Sequence, residues 1–361
     1  MKHHKHQRPA AALERRNYSP NNPMYSIRKL AKLSAIFLVV MLFAFTANTQ
    51  AAGGANNQAA GKANNKAAGK KGKLHTIELS AERLDGGMFA YQMNSHTISD
   101  MSGPNEVDVT NRYSGTPTIP GPTIVINEGD EVALTLVHAF DPGNSTVLDK
   151  VSVHVHGVHY DILSDGTIKD INLVEDESAI PSMEYTYHWV AAPGTAGTWA
   201  YHDHNMMTLN GAEDRGLYGA LIVNNQSTVE VVNSNNTISN EAFSSIEKEY
   251  VLFIGDDAFW GMEINNQDDV QTPLGYNPAL SAQKDSNVRV HLISLGTNFH
   301  QFGFSGYKWV DPGTNLIIQE KEIGPLEKHV FTIRANHNSV YKDQTFTSMA
   351  LGMQGNFTAI P

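Results

Sequence analysis

From Leu74 to the end, the sequence is a succession of short segments in which apolar and polar residues alternate. KVSVHVHGVHY, YTYHWVA, YGALIVNN and SNVRVHLISLG are examples, and clusters of Gly, Pro, Asn and Asp separate them. A period of two is typical of strands that bury one face, and no long helical period is present. A polar, Asn-rich stretch interrupts the series. We therefore predict two all-β domains, each a sandwich or barrel, over 74–226 and 244–361, joined by a linker over 227–243.

The residues before Leu74 have a different composition and are not predicted to belong to either domain. Within 1–52, a basic flank precedes an apolar run from Leu33 to Phe45, which is typical of a secretory signal peptide. The run is short for a membrane span, and an anchor that is not cleaved is the alternative. Met24 is an alternative start of translation. Residues 53–73 repeat a small, polar, basic octamer and are predicted to be a flexible linker. We expect an exported protein, in the periplasm or outside the cell.

Charge and cysteine content narrow the classes of function. From Leu74 onward, 13 Lys and Arg residues face 36 Asp and Glu residues, a formal net charge of −23. This charge disfavours binding of nucleic acid, because a phosphate backbone requires a basic surface. The chain has no cysteine. Disulfides, thiolate metal sites and cysteine nucleophiles are therefore excluded.

Two His-x-His pairs are the strongest chemical signal. His154 and His156 are two residues apart on one predicted strand, and His202 and His204 repeat this spacing on another. Alternation places both members of a pair on the same face of a strand. Four imidazoles in two pairs suit copper or zinc. The alternative is that they are surface or structural histidines. His159 has the wrong parity for this face and is expected to be an exposed histidine.

Several segments resemble the multicopper oxidases, and in particular the two-domain small laccases. TIPGPTIVINEGDEVALTLVH resembles the opening strand pair of that family, VSVHVHGVHYDILSDGT its first ligand motif, and GTWAYHDHNMM with GLYGALIV its second. FHQFGFSGYKW and LGMQGNFTAI resemble its third and fourth motifs. The similarity extends over both predicted domains. It implies two tandem cupredoxin-like domains, each a β-sandwich or barrel.

The resemblance assigns roles to individual residues of the first domain. It implies that His154 binds a type 2 copper, and that His156, His202 and His204 face a type 3 copper pair. Asp165 matches an acidic position that assists proton delivery. In this family the cluster lies between two subunits of a trimer. The resemblance therefore implies a homotrimer as well.

The second predicted domain departs from the family pattern. His300 and Met353 match a histidine and the axial methionine of the blue copper site. Gly303 and Ser305 replace two cluster histidines, and YKDQTF (341–346) replaces the His-Cys-His motif, where Lys342 could fill space left by a copper. A blue copper centre requires a cysteine sulfur, so none is expected. The three remaining histidines of this domain are expected to be surface residues: His291, His329 and His337.

Three functional hypotheses follow. The first is an exported copper-binding protein with one or two coppers in the first domain and without laccase turnover. The second is an oxidoreductase that uses this reduced copper site on a small molecule such as O₂, peroxide or a nitrogen oxide, or one whose cluster is completed by an intact paralogue. The third is a metal-free cupredoxin scaffold. We expect no nucleic acid partner, and contact with a membrane only if the signal is not cleaved.

Overall fold

The structure is a computed structural model that describes residues 72–101, 103, 105–141, 149–172, 180–181, 183–204 and 215–361. The predicted signal peptide and most of the predicted basic linker lie outside the described residues. Ala68–Pro361 form one compact unit. In the described part of the chain, no helix is both long and apolar enough to cross a membrane.

The first sandwich is built from eleven strands and two short 3-10 turns within the described residues. The strands are β1 (Lys73–Arg83), β2 (Phe89–Asp100), β3 (Glu106–Asp108), β4 (Ile124–Asn127), β5 (Glu131–His138), β6 (His154–Val155), β7 (Ile171–Asn172), β8 (Ile180–Pro181), β9 (Glu184–Val190), β10 (Gly197–His202) and β11 (Tyr218–Asn224). The 3-10 turns are Asp85–Gly87 and Thr110–Arg112. One sheet has the order β3-β2-β1-β5-β9 and the other β4-β11-β10-β6.

Residues 227–243, which we predicted to link the domains, include an ordered β-hairpin. It consists of β12 (Thr228–Val232) and β13 (Ile238–Ala242), followed by a 3-10 turn at Phe243–Ser245. Val229 and Val231 form a small apolar cluster with Ile246 at the start of the next strand. We predicted a linker because this segment is mostly polar, and the alternation of its few apolar residues is a weak signal for strands.

The second sandwich is composed of twelve strands and one short helix. The strands are β14 (Ile246–Ile254), β15 (Phe259–Asn265), β16 (Gln271–Tyr276), β17 (Leu280–Gln283), β18 (Asn287–Ser294), β19 (His300–Phe304), β20 (Trp309–Val310), β21 (Ile317–Ile318), β22 (Glu320–Ile323), β23 (Lys328–Arg334), β24 (Ser339–Asp343) and β25 (Gln354–Ile360), and the helix is α1 (Phe346–Leu351). The main sheets have the orders β16-β15-β14-β18-β23 and β17-β25-β24-β19-β22.

The two sandwiches have matching topologies. Each has one sheet with a parallel central pair, β1 with β5 and β14 with β18. Each has a second sheet with a parallel pair at one edge, β4 with β11 and β17 with β25. An apolar core fills the space between the two sheets of each sandwich, as alternating apolar residues require. The predicted all-β architecture is confirmed.

The two sandwiches pack against each other through a third apolar cluster. Ala220 and Ile222 from β11 meet Val251 and Phe253 from β14, and the rings of Tyr218 and Phe253 pack edge to face with centroids 4.9 Å apart. Strands β11 and β14 are therefore buried on both faces, one towards their own core and one towards the neighbouring sandwich. This explains why YGALIVN and YVLFI are almost continuously apolar.

His337 is exposed, as expected, but the structure corrects our expectation that His291 and His329 are surface residues. That expectation was wrong, because only 1% of His291 and 4% of His329 is exposed. The His291 ring lies between Glu249 and the hydroxyl of Thr198, at 2.7 and 2.6 Å, and so joins the two sandwiches. His329 accepts a hydrogen bond from the Trp309 indole at 2.8 Å.

Truncation of Phe253 tests how much the interface between the two sandwiches contributes to the stability of the chain. We expect Phe253→Ala to lower the free energy of unfolding by about 3–4 kcal/mol, because it leaves a cavity at the interface. Urea denaturation measures this change. Phe346→Ala is the matched control, since that ring is 84% exposed and its loss should cost less than about 0.5 kcal/mol. Equal effects of the two changes would show that the interface contributes little to stability.

Candidate metal centre

The two His-x-His pairs lie side by side at one end of the first sandwich. His154 on β6 and His202 on β10 are directly paired in an antiparallel register. The backbone N–H of His156 continues the pairing with a hydrogen bond of 3.0 Å to the Ala200 carbonyl. Because the two strands are paired here and each His-x-His pair lies on one face of its strand, the four histidines form a single cluster. The ring centroids of His154 lie 4.8 Å from His156, 5.5 Å from His202 and 5.1 Å from His204.

A glycine and a tryptophan explain why the two motifs fit together. Gly157 follows the first pair with φ +75°, a left-handed conformation that favours glycine. A Cβ at this position would overlap the ring of Trp199 on β10, which is part of the second motif. The Trp199 indole is fixed by a hydrogen bond of 2.8 Å to the Thr195 carbonyl. The close approach of Gly157 to this ring sets the spacing between the two histidine pairs.

Backbone carbonyls orient two of the imidazoles. His154 Nδ1 donates to the carbonyl of Asp165 at 2.5 Å, and His202 Nδ1 donates to the carbonyl of Asp203 at 2.9 Å. In each neutral ring the Nε2 atom is then left with a free lone pair. The Nε2 atoms of His156 and His202 are 3.0 Å apart. A histidine that binds a metal commonly donates its other ring N–H in this way.

The histidines of the cluster differ in their suitability as ligands. Among the described residues, His154, His156 and His202 form the one group of three acidic, cysteine or histidine side chains whose donor atoms all lie within 4.8 Å of one another. His204 adjoins this group, with its ring 5.9 Å from that of His202, but it is not one of the three. His159 is exposed, as expected.

Asp165, the predicted proton-delivery residue, is adjacent to the cluster. One of its carboxylate oxygens lies 3.4 Å from Nδ1 of His154, and 17% of its side chain is exposed. Its other oxygen accepts a hydrogen bond from the Thr167 hydroxyl. Gly166 allows this turn to pack against β6, because a Cβ there would overlap the Val153 carbonyl. The carboxylate therefore lies between a cluster histidine and solvent.

The surroundings of the cluster keep the imidazoles of His156 and His202 neutral. Burial lowers the pKa of His202 to about 3, and burial together with the neighbouring His154 lowers the pKa of His156 to about 4. Burial also lowers the pKa of His204. A neutral imidazole has a lone pair available for a metal ion. Three convergent imidazoles, two of them oriented by backbone carbonyls, therefore fit a copper or zinc ion.

Sequence analysis missed three residues that support the cluster. Asp203, between the two histidines of the second motif, points inward and accepts a hydrogen bond from the Ser152 backbone N–H at 2.8 Å. The Ser152 hydroxyl in turn accepts from the N–H of His204 at 3.0 Å. Lys328 comes from the second sandwich, and its positive charge contributes to the lowered pKa of His156. Alternation in HDH could have identified Asp203 as a buried acid, but no local signal identifies Lys328.

The repeated topology identifies the corresponding positions in the second sandwich. Tyr201 on β10 and Tyr341 on β24 each donate a hydrogen bond of 2.6 Å to a proline carbonyl, that of Pro122 or Pro278. Tyr201 pairs with Val155, and Tyr341 pairs with Phe304. This register matches the four cluster histidines, in the order His154, His156, His202 and His204, to Gly303, Ser305, Lys342 and Gln344.

These four substitutions leave a small cavity where the second sandwich has no histidine. Gly303, Ser305, Lys342 and Gln344 all line this cavity of about 170 Å³. The side chain of Gln344 lies against Gly303, so that a Cβ at this position would overlap its amide group. The predicted loss of cluster histidines thus corresponds to one contiguous region of the structure.

The two residues that we assigned to a remnant blue copper site are both buried. His300 is 2% exposed, and its Nδ1 atom lies 2.6 Å from a carboxylate oxygen of Asp343. Met353 is 1% exposed and belongs to the apolar core. Asp343 is the counterpart of Asp203 in the repeat. It also accepts hydrogen bonds from the backbone N–H groups of Gln301 and Thr345, each at 3.0 Å.

Asp343 is expected to make the stability of the chain depend on pH. Burial alone would raise its pKa, but the hydrogen bonds that it accepts lower the pKa from 3.8 to about 2. Its contribution is therefore complete above the unfolded-state value and is lost as pH falls through about 2. Asp343→Asn should reduce the free energy of unfolding by about 2 kcal/mol at pH 7 and by little near pH 2.

Urea denaturation at a series of pH values measures this difference. Asp257→Asn, which removes an exposed carboxylate in the same sandwich, is the control and should change stability by less than about 0.5 kcal/mol. A loss in Asp343→Asn that is the same at all pH values would assign the effect to packing and not to the charge of Asp343.

Comparison with known proteins agrees with these features. Residues 104–228 match a family model described as multicopper oxidase. A probable nitrite reductase-hydroxylamine oxidoreductase fusion protein of Kuenenia stuttgartiensis is 28% identical over 259 residues, which cover 67% of this chain and 27% of that protein. The laccase abr2 of Aspergillus fumigatus (strain ATCC MYA-4609 / CBS 101355 / FGSC A1100 / Af293) is 32% identical over 102 residues, or 28% of this chain and 14% of the laccase. The chain thus matches less than a third of the length of either relative.

Among solved structures, a crystal structure of a multicopper oxidase superposes with a TM-score of 0.50 and 19% sequence identity, covering 79% of this chain and 89% of that one. This similarity concerns the fold alone, and it agrees with the two tandem cupredoxin-like sandwiches. The resemblance to the multicopper oxidases is confirmed by the family model, which matches residues 104–228.

Proposed function

We propose that this chain is an exported, multicopper-oxidase-like protein that binds copper at His154, His156 and His202 and does not carry out laccase turnover. One observation carries the proposal. Three imidazoles converge in the first sandwich, and backbone carbonyls leave the Nε2 atoms of two of them available as ligands. Copper at this position would exchange single electrons with a small molecule. His204 borders the site and could complete it for a second ion.

The absence of laccase turnover follows from the residues of the second sandwich. The chain has no cysteine, so it has no thiolate for a blue copper. His300 directs its Nδ1 atom to Asp343. Lys342 and Gln344 occupy two of the four positions that match cluster histidines. The chain alone therefore offers half of the family's ligand set for a trinuclear cluster.

Export and assembly are further parts of the proposal. The sequence of residues 1–52 supports export to the periplasm or the outside of the cell. The family resemblance supports a homotrimer. A complete paralogue is the alternative partner, because its second domain would supply the ligands that this chain has lost. In that case the copper content should rise when the paralogue is added.

Copper content of the full chain tests the proposal directly. After loading with Cu(II) and removal of free metal, we expect about one copper per chain with a type 2 electron paramagnetic resonance spectrum. His154→Ala and His202→Ala should each lower the copper content by about tenfold or more, because each removes an oriented ligand. His159→Ala is the matched control, since this exposed histidine follows the same strand, and it should bind copper as the parent does.

Two outcomes would contradict the proposal. Absence of stoichiometric copper in the parent chain would leave the metal-free scaffold as the better hypothesis for the isolated chain. Equal copper loss in His159→Ala and His202→Ala would indicate adventitious binding at surface histidines. Circular dichroism of each variant separates loss of a ligand from loss of the fold.

A second candidate function is the reduction of a nitrogen oxide at the same site. The match to a relative named as a nitrite reductase-hydroxylamine oxidoreductase fusion, over 67% of this chain, supports it. One-electron reduction of nitrite to nitric oxide and water consumes two protons. Asp165 lies near both the cluster and solvent and is suited to deliver one of them. Because the chain has no blue copper, the electron must come from an external reductant.

A nitric oxide electrode measures this activity under anaerobic conditions, with nitrite and reduced methyl viologen as the electron donor. The copper-loaded chain should produce nitric oxide faster than the same concentration of free copper. Asp165→Asn should lower the rate by at least about tenfold without loss of copper, because it removes the group that delivers the proton. A rate no higher than that of free copper would exclude this function.

A further inference from the structure

A second group of polar side chains, separate from the histidine cluster, lies at the junction of the two sandwiches. A cavity of about 500 Å³ lies between them. Ile98, Val125 and Tyr113 line it from the first sandwich, and Ile264 and Asn266 from the second. Binding sites for small molecules commonly lie between domains, have volumes of about 300–1,000 Å³, and combine apolar walls with a few polar groups. This cavity has those properties.

Four side chains form a hydrogen-bonded series along the wall of this cavity. Asp130 lies 3.2 Å from Nε2 of His75, Nδ1 of His75 lies 2.9 Å from Nε2 of His96, and Nδ1 of His96 lies 2.7 Å from the hydroxyl of Tyr113. Asp130, His75 and His96 are each less than 4% exposed. His75, His96 and Tyr113 line the cavity. A buried polar network of this kind is costly unless each member has a partner.

The acidic end of this series sets the direction of its hydrogen bonds when each imidazole carries one proton. Asp130 accepts from His75 Nε2–H, so that Nδ1 of His75 has only a lone pair to offer. Nε2–H of His96 therefore donates to His75, and Nδ1 of His96 accepts from the hydroxyl of Tyr113. Burial, together with His75 and Arg112, lowers the pKa of His96 to about 3, which agrees with a neutral ring. The hydrogen of the Tyr113 hydroxyl is then committed to His96, and only the lone pairs of its oxygen remain for a further partner.

The charged groups at the cavity are matched in pairs. Arg112 lies 3.0 Å from Asp269, and Glu249 lies 2.7 Å from His291. Lys73 pairs with Asp100. An ion entering the cavity would compete with these pairs. A neutral molecule would not, and its apolar part could contact Ile98 and Ile264.

We propose that the cavity between the two sandwiches binds a small, uncharged organic molecule with a hydroxyl group, an alcohol or a phenol, which donates its hydrogen bond to the oxygen of Tyr113. Asp130, His75 and His96 are positioning residues. They hold the Tyr113 hydroxyl as an acceptor. This site is separate from the proposed copper site and does not depend on it.

A pair of probes tests the direction of the hydrogen bond. Phenol can donate to Tyr113, whereas anisole has the same ring and oxygen but no hydrogen to donate. Ligand-observed NMR titration of the full chain should give a dissociation constant for phenol about tenfold lower than that for anisole, as expected for one buried hydrogen bond. Tyr113→Phe should abolish this preference. Tyr276→Phe, at an exposed tyrosine outside the cavity, should retain it.

Two further measurements test whether the variant is folded and whether the probes bind in this cavity. The circular dichroism spectrum and the urea denaturation midpoint should be the same in Tyr113→Phe and the parent chain, which shows that the fold is intact. Ser244→Trp places a large ring at an exposed position that lines the cavity and should weaken binding of both probes. The proposal is overturned if phenol does not bind the parent chain, if the preference for phenol persists in Tyr113→Phe, or if Ser244→Trp binds phenol as the parent does.

Discussion

The packing of β10 and β11 against the second sandwich is the contact on which the rest of the structure depends. Side chains on β10 alternate, so that Trp199 and Tyr201 contact the first core while Thr198 and Ala200 face the other sandwich. His202 has the same parity as Thr198 and Ala200. It therefore lies on the interdomain face of the strand, at the end where the apolar interface stops. The histidine cluster is a continuation of this interface.

This arrangement explains how the second sandwich can influence a site whose histidines all come from the first. Lys328 lies over the ring of Trp199, and its charge contributes to the low pKa of His156. Burial lowers the pKa of Lys328 itself to about 8. Binding of a dication would be opposed by this nearby ammonium group and favoured by the carboxylate of Asp165. The charge of the site is therefore set by one residue from each sandwich.

Much of the fold and of the metal centre could be predicted from the sequence, because both depend on local patterns. The alternation of the strands predicts which histidines share a face. Gly157 and Trp199 are themselves part of the two histidine motifs. Burial of His291 could not be predicted, because it results from packing between sandwiches. The hydrogen bonds of His75 join residues 21 and 55 positions apart. They form only because β1 pairs with β2 on one side and with β5 on the other.

The matching topologies of the two sandwiches separate two kinds of residue. Some residues of the site occur at corresponding positions in both sandwiches, and the cluster histidines occur only in the first. Asp203 and Asp343 occupy corresponding positions, and both accept backbone hydrogen bonds beneath the strand ends. The buried tyrosines Tyr201 and Tyr341 also correspond. The aspartate and the tyrosine are thus present in both sandwiches, although the second has no flanking histidines. In both sandwiches they form hydrogen bonds with buried backbone groups. The four residues at the histidine positions, Gly303, Ser305, Lys342 and Gln344, line a cavity and do not belong to the apolar core cluster of the second sandwich. The residues that form the core and those that occupy the histidine positions are therefore separate sets.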